Sequence, residues 1–158
     1  MVIEMVHFHG VFNMPTDLGR KYSTDWRGRP PHMLAPDIPV WYRFLAAYSE
    51  LFLSLWYDSF LGGPALSPEE KRDPMERMWR ANTSKRTDAI AETEDEVWLI
   101  EVSDYPGMRA LGQLMTYQTL WLEDPKIAKI ERLVCVAGRI DQDIGAACAK
   151  FGIQLYIV

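Results

Sequence analysis

The segment from Lys85 to Trp121 constrains the fold of this chain more than any other part of the sequence. Residues 85–91 and 96–103 are two short apolar runs joined by an acidic turn, a pattern that predicts a β-hairpin. Each run carries one carboxylate, Asp88 and Glu101, where the neighbouring residues predict a buried surface. Burying a carboxylate is unfavourable unless it is paired or binds a metal. These two residues are therefore the main indication of function.

Asp88 lies on the first strand, and Glu101 lies two residues before Ser103 on the second. A helix predicted over 106–122 follows, with Gln113 and Tyr117 adjacent on one face. This arrangement resembles the motif of the PD-(D/E)XK phosphodiesterase superfamily, and the Gln-x-x-x-Tyr helix resembles its exonuclease branch. The resemblance implies that the Asp and the Glu bind Mg²⁺ and that the Gln and the Tyr lie beside them. It also places a catalytic lysine where this sequence has a serine.

The missing lysine leaves two interpretations open. In the first, a displaced cation from Lys85, Arg86 or Arg109 takes its place and the site is active. In the second, the site has lost its activity, and its carboxylates form structural ion pairs with Arg86 or Arg132. The sequence favours the second interpretation, because Ser103 cannot supply a positive charge to the transition state.

Residues 1–37 are rich in turn-forming residues and lack periodicity, so we expect an extended N-terminal arm. We favour an arm held against a partner, and packing on its own domain is the alternative. His7, His9 and His32 are candidate metal ligands, although a structural role is favoured for them. Residues 38–158 are predicted to form the α/β domain that the resemblance covers.

Apolar residues recur with helical spacing between Val40 and Phe60, which predicts one long aromatic helix covered on two sides. We expect this helix, like the arm, to contact other protein subunits. The resemblance makes Glu50 a candidate acidic residue of the site, with a surface position favoured instead. Residues 75–80 fit either a short helix or the first strand of the sheet.

The C-terminal third reads as a strand over 132–138, a helix over 141–151 and a strand over 153–158. Short links between them predict a parallel unit. The expected fold is therefore α/β, with a mixed sheet of four or five strands flanked by helices, in agreement with a restriction-endonuclease-like fold.

The net charge of −5 and the pI near 5.2 do not suit a dedicated nucleic-acid binder, whose affinity depends on a basic surface. A local cluster of basic residues precedes Asp88, and it is either a binding patch or a solvated face. Its members are Lys71, Arg72, Arg77, Arg80, Lys85 and Arg86. Nucleic acid therefore stays a candidate partner.

The two cysteines, Cys135 and Cys148, lack C-x-x-C spacing, and we expect them to be reduced, buried and structural. No apolar run approaches the ~20 residues that span a bilayer, and no secretion signal is recognisable. We therefore expect a cytoplasmic protein without membrane contact.

Function is left with two candidates. Ser103, the net acidity and the proline-rich and aromatic arm favour a structural or assembly protein on a degenerate nuclease-like scaffold, for instance in the head–tail connection of a virus particle. The alternative is a Mg²⁺-dependent DNA nuclease of repair, recombination or defence. It would use Asp88, Glu101, Gln113 and Tyr117, so enzymatic activity stays open.

Overall fold

The computed structural model describes residues 16–63 and 65–158, which form a mixed α/β structure. The strands are β1 (Lys21–Tyr22), β2 (Ser54–Tyr57), β3 (Phe60–Leu61), β4 (Lys85–Arg86), β5 (Ala89–Glu92), β6 (Glu96–Ser103), β7 (Ile130–Ala137) and β8 (Gln154–Ile157). The helices are α1 (Ile38–Tyr48), α2 (Pro74–Thr83), α3 (Met108–Glu123) and α4 (Gln142–Lys150), with 3₁₀ turns at Ser49–Leu51 and Glu70–Arg72.

Six strands form one mixed sheet in the order β1-β2-β5-β6-β7-β8, and β3 pairs separately with β4. Neighbouring strands are antiparallel from β1 through β2 and β5 to β6, whereas β6, β7 and β8 are parallel to one another. The predicted hairpin is confirmed as β5–β6, and the predicted parallel unit is confirmed as β7-α4-β8. The first hairpin strand, predicted over 85–91, is however divided into β4 and β5, and Asp88 lies in a bend between them rather than within a strand. The sheet has six strands rather than four or five, because the sequence pattern did not reveal β1 and β2.

Helices cover both faces of this sheet. Helix α1 packs on one face through Trp41 and Phe44, which are fully buried. Helices α3 and α4 pack on the other face, through residues such as Trp121 and Cys148. Successive side chains of a strand point to opposite faces, so Glu101 shares the α3 face with Leu99.

The single helix predicted over 40–60 is wrong. Helix α1 ends at Tyr48, and the chain passes through a 3₁₀ turn into β2, all four residues of which are buried. The apolar residues of β2 continue the helical spacing by coincidence, and a short apolar run does not distinguish a buried strand from a buried helix. Residues 75–80 lie in α2, where the Asp73 side chain accepts a hydrogen bond from the Met75 amide at 2.8 Å.

The described part of the predicted arm, residues 16–37, packs on the rest of the chain. Strand β1 extends the main sheet beside β2, and Met33 is 3% exposed in the core. His7 and His9 lie outside the described residues. Among the aromatic side chains of α1 that were expected to contact partners, Trp41 and Phe44 are buried in this core, and Tyr42 and Tyr48 are half-buried against it. A partner contact of the arm therefore stays a prediction for residues 1–15.

Both cysteines are free and buried, as expected. Within residues 16–63 and 65–158, none of the helices combines the length and the apolar character needed to cross a membrane.

Candidate functional site

A cavity of about 450 Å³ lies where β5 begins and β6 ends. Four carboxylates from the described part of the chain line it, and we call it the acidic cavity: Asp37, Asp58, Asp88 and Glu101. In parallel and mixed α/β sheets, ligands commonly bind outside the carboxyl ends of the strands. The position of the cavity next to the end of β6 agrees with this rule.

The hairpin brings Asp88 and Glu101 together, as the sequence predicted. Ala89 pairs with Ile100, so the same register places Asp88 opposite Glu101. Asp88 Oδ2 accepts a hydrogen bond from the Val102 amide at 2.8 Å, and the two carboxyl groups are close enough that each shifts the pKa of the other. Glu101 is 7% exposed, whereas Asp88 is half-buried.

Burial raises the pKa of Glu101 well above its usual value, and the charge of Asp88 raises it further. The pKa of Asp88 is also raised, first by burial and then by the charges of Asp37 and Asp58. Two adjacent buried carboxylates repel each other unless they share a proton or a cation lies between them. The arrangement of Asp88 and Glu101 therefore favours the binding of a proton or a cation between them.

The structural ion pairs predicted for these carboxylates are wrong. Arg86 instead forms a bidentate pair with Asp58, with Nε 2.6 Å from Oδ1 and Nη2 2.5 Å from Oδ2. Arg132 contacts Glu96 at the opposite end of β6. Both arginines are thus engaged with other carboxylates.

Tyr117 lies beneath Glu101 and fixes its orientation. The Tyr117 hydroxyl lies 2.7 Å from Glu101 Oε1 and 2.8 Å from the Arg86 carbonyl oxygen, and both can accept its proton. Gln113 Nε2 donates to the same hydroxyl at 3.3 Å, and Gln113 also lines the cavity. Burial and the charge of Glu101 raise the pKa of Tyr117, so the phenol stays a neutral donor. The two residues are adjacent on α3, as the sequence predicted.

Ser103 and Arg109 complete the wall of the acidic cavity. Ser103 lies two residues beyond Glu101 on the same face of β6. Arg109 lies in the first turn of α3 and is exposed, and it lacks an ion-pair partner among the residues that the structure describes. Arg109, rather than the residue in the lysine position, is therefore the cation available at this cavity.

Sequence reasoning missed the roles of three residues around the cavity. Asp37 directly precedes α1, and its side chain accepts a hydrogen bond from the Asp104 amide at 2.8 Å rather than capping the helix. His32 and Asp58 adopt left-handed backbone conformations, with φ of 58° and 54°, and His32 Nε2 lies 3.3 Å from Asp58 Oδ2. Strained residues of this kind cluster at functional sites.

A signal for Asp58 was present in the sequence. It follows the apolar run 54–57 directly, as a carboxylate at the end of a buried strand, but the helix predicted over 40–60 concealed it. Glu50, the acidic candidate on that helix, is exposed and does not line the cavity.

The donor set fits Mg²⁺ better than metals that need several protein ligands. Among residues 16–63 and 65–158, no group of three or more His, Cys, Asp or Glu side chains is arranged to hold a metal ion. Mg²⁺ commonly uses one or two carboxylates and keeps several of its own waters. Asp88 and Glu101 match that requirement, and they are the residues that would hold the ion.

Comparisons with models of protein families, with curated proteins and with solved structures found no match to this chain.

Proposed function

We propose that the protein is a Mg²⁺-dependent phosphodiesterase that cleaves DNA, on a restriction-endonuclease-like fold. The observation that carries the proposal is the adjacency of Asp88 and Glu101 in an open cavity, where no arginine of the described residues lies within ion-pair distance of either carboxylate. A scaffold that had lost its chemistry would gain stability from an internal cation at this position, because buried unpaired carboxylates are costly. The lack of such a cation beside Asp88 and Glu101 favours a site that has kept its activity.

Four residues in or beside the acidic cavity have roles in this proposal: Asp88, Glu101, Arg109 and Tyr117. Asp88 and Glu101 hold the ion, and the Tyr117 hydroxyl keeps Glu101 in one orientation. The bound ion would polarise a phosphoryl oxygen and lower the pKa of a coordinated water. Arg109 lines the same cavity, where its charge would stabilise the negative charge that develops on the phosphate, as the absent lysine would.

The proposal is tested by cleavage of single- and double-stranded DNA with Mg²⁺ or Mn²⁺. We expect the parent to cleave and Asp88→Asn to lose activity by at least about a hundredfold. Asp95→Asn is the matched control, because Asp95 is exposed in the turn at the other end of the same hairpin. Cleavage that is equal in the parent and in Asp88→Asn would contradict the proposal.

An assembly role, for instance in the head–tail connection of a virus particle, is the second candidate. Three large apolar side chains lie at i, i+3 and i+4 on α2 and stay exposed: Met75, Met78 and Trp79, at 66%, 52% and 52%. Such a surface is typical of a protein contact. A lower particle mass for Trp79→Ser than for the parent, in a protein without DNA cleavage, would favour this candidate over the nuclease.

A further inference from the structure

A second cavity, of about 590 Å³, adjoins the acidic one. The two cavities share Arg86, Arg109 and Gln113 as lining residues, so they are neighbours along the start of α3. Within residues 16–63 and 65–158, the charged side chains that line the second cavity are all cationic: Lys85, Arg86 and Arg109. We call it the basic cavity.

The charges of the basic cavity are not balanced internally. Asp58 neutralises Arg86, but neither Lys85 nor Arg109 has an ion-pair partner within the described parts of the chain. Two cations that line one cavity repel each other, and an anion bound between them removes that repulsion. Gln113 adds an amide donor at the boundary with the acidic cavity.

Gly112 keeps one wall of the basic cavity open. It lies inside α3, where glycine destabilises a helix by about 1 kcal/mol relative to alanine. A Cβ atom placed on Gly112 would meet no neighbouring atom within 4 Å, so packing within the domain does not require this glycine. Glycine also permits the close approach of a ligand to the backbone.

We propose that the basic cavity binds a backbone phosphate of the same nucleic-acid strand whose scissile phosphate enters the acidic cavity. This inference rests on the proposed function, since it assigns the substrate of that site. The shared residues make the two cavities suitable for phosphates of one strand. Local binding also explains how a chain with a net charge of −5 contacts a polyanion.

The basic cluster recognised in the sequence is divided by the fold. Lys85 and Arg86 line the basic cavity, whereas Lys71, Arg72 and Arg77 do not. The remaining member, Arg80, is buried, and its Nη1 lies 3.7 Å from Asp17 Oδ2. The phosphate contacts are therefore assigned to β4 and α3 alone.

Two threonines of α3 supply a matched pair of variants. Thr116 lines the basic cavity, and Thr119 lies outside it on the same helix. Both are exposed, and both hydroxyls donate to the carbonyl oxygen four residues earlier. Thr116→Asp and Thr119→Asp thus change charge and helix propensity equally, and only the first places a carboxylate in the cavity.

The test is a titration of labelled single-stranded DNA oligonucleotides in EDTA, followed by fluorescence anisotropy, so that binding is measured without cleavage. We expect Thr116→Asp to weaken binding about tenfold and Thr119→Asp to leave it close to that of the parent. Lys85→Ala should lower the slope of log K against log salt concentration by about 0.7, the value for one phosphate contact on a single strand. Lys71→Ala should leave the slope unchanged.

Competition experiments distinguish a nucleic-acid strand from a free anion as the ligand of the basic cavity. We expect inorganic phosphate and a mononucleotide to displace the oligonucleotide only weakly at constant ionic strength. Displacement by inorganic phosphate as effective as displacement by unlabelled oligonucleotide would overturn the assignment to a strand. Equal binding by the two threonine variants, or no binding by the parent, would overturn the inference as well. The cleavage comparison with Asp88→Asn separately decides the proposed function.

Discussion

Two glutamates at opposite ends of β6 have contrasting surroundings. Glu96 receives hydrogen bonds from Arg132 and from the Trp98 indole, and the arginine lowers its pKa. Glu101 is buried next to Asp88, and burial raises its pKa. The same strand thus carries one carboxylate that is neutralised within the protein and one that is not. In the proposed function, the Glu101 end of β6 is the one that receives a cation and substrate from outside.

The largest effect should come from the available cation of the acidic cavity. Arg109→Ala should lower kcat for DNA cleavage by about a hundredfold, because the charge that develops on the phosphate loses its partner. Arg109→Lys should recover most of the rate, and Arg72→Ala, at an exposed site outside both cavities, should not change it. Equal rates for the parent and Arg109→Ala would remove the arginine from the mechanism.

The next largest effect is on the free energy of unfolding, through the variant Glu101→Gln. The pKa of Glu101 is raised in the folded state, so its contribution to stability is fully present below its usual value of 4.5 and declines as the pH rises through the raised pKa. Glu101→Gln retains the uncharged form, so in EDTA it should be more stable than the parent at pH 8, on the order of 2 kcal/mol.

Urea denaturation at pH 5 and pH 8 measures this difference, which should be smaller at pH 5. Adding Mg²⁺ should stabilise the parent and leave Glu101→Gln with a smaller gain. A variant less stable than the parent at pH 8 in EDTA would show that the fold has already compensated the charge of Glu101.

The smallest effect is expected for Glu96→Gln, which should lower the free energy of unfolding rather than raise it. The pKa of Glu96 is lowered, so its contribution is present above the usual value of 4.5 and is lost as the pH falls through the lowered pKa. Glu96→Gln should therefore destabilise the protein at pH 7 by about 0.5–1 kcal/mol, a value typical of a partly exposed ion pair. The same urea series measures it, and a stabilising effect would abolish the contrast between the two ends of β6.

The elements that the sequence predicted correctly are those whose pattern is long or has clear turn signals. The hairpin, α3 and the β7-α4-β8 unit belong to this group. In the site, Asp88, Glu101, Gln113 and Tyr117 could be placed together, because strand alternation and helical spacing determine which side chains share a face.

The rest of the site depends on contacts that no local pattern encodes. Strand β1 has two residues, too few for any periodicity, and β2 is a fully buried run that also fits a helix. Asp58 was missed because β2, the strand that it follows, was predicted as part of a helix. His32 reaches the cavity only because the chain before α1 folds back on the domain, which depends on the tertiary packing of Met33.

We propose that Asp88 and Glu101 form a cation site, and a direct measurement of metal binding tests this proposal most simply. Isothermal titration of the parent with Mn²⁺ should show binding that Asp88→Asn abolishes and Asp95→Asn retains. Binding that is absent from the parent, or that persists in Asp88→Asn, would contradict the account.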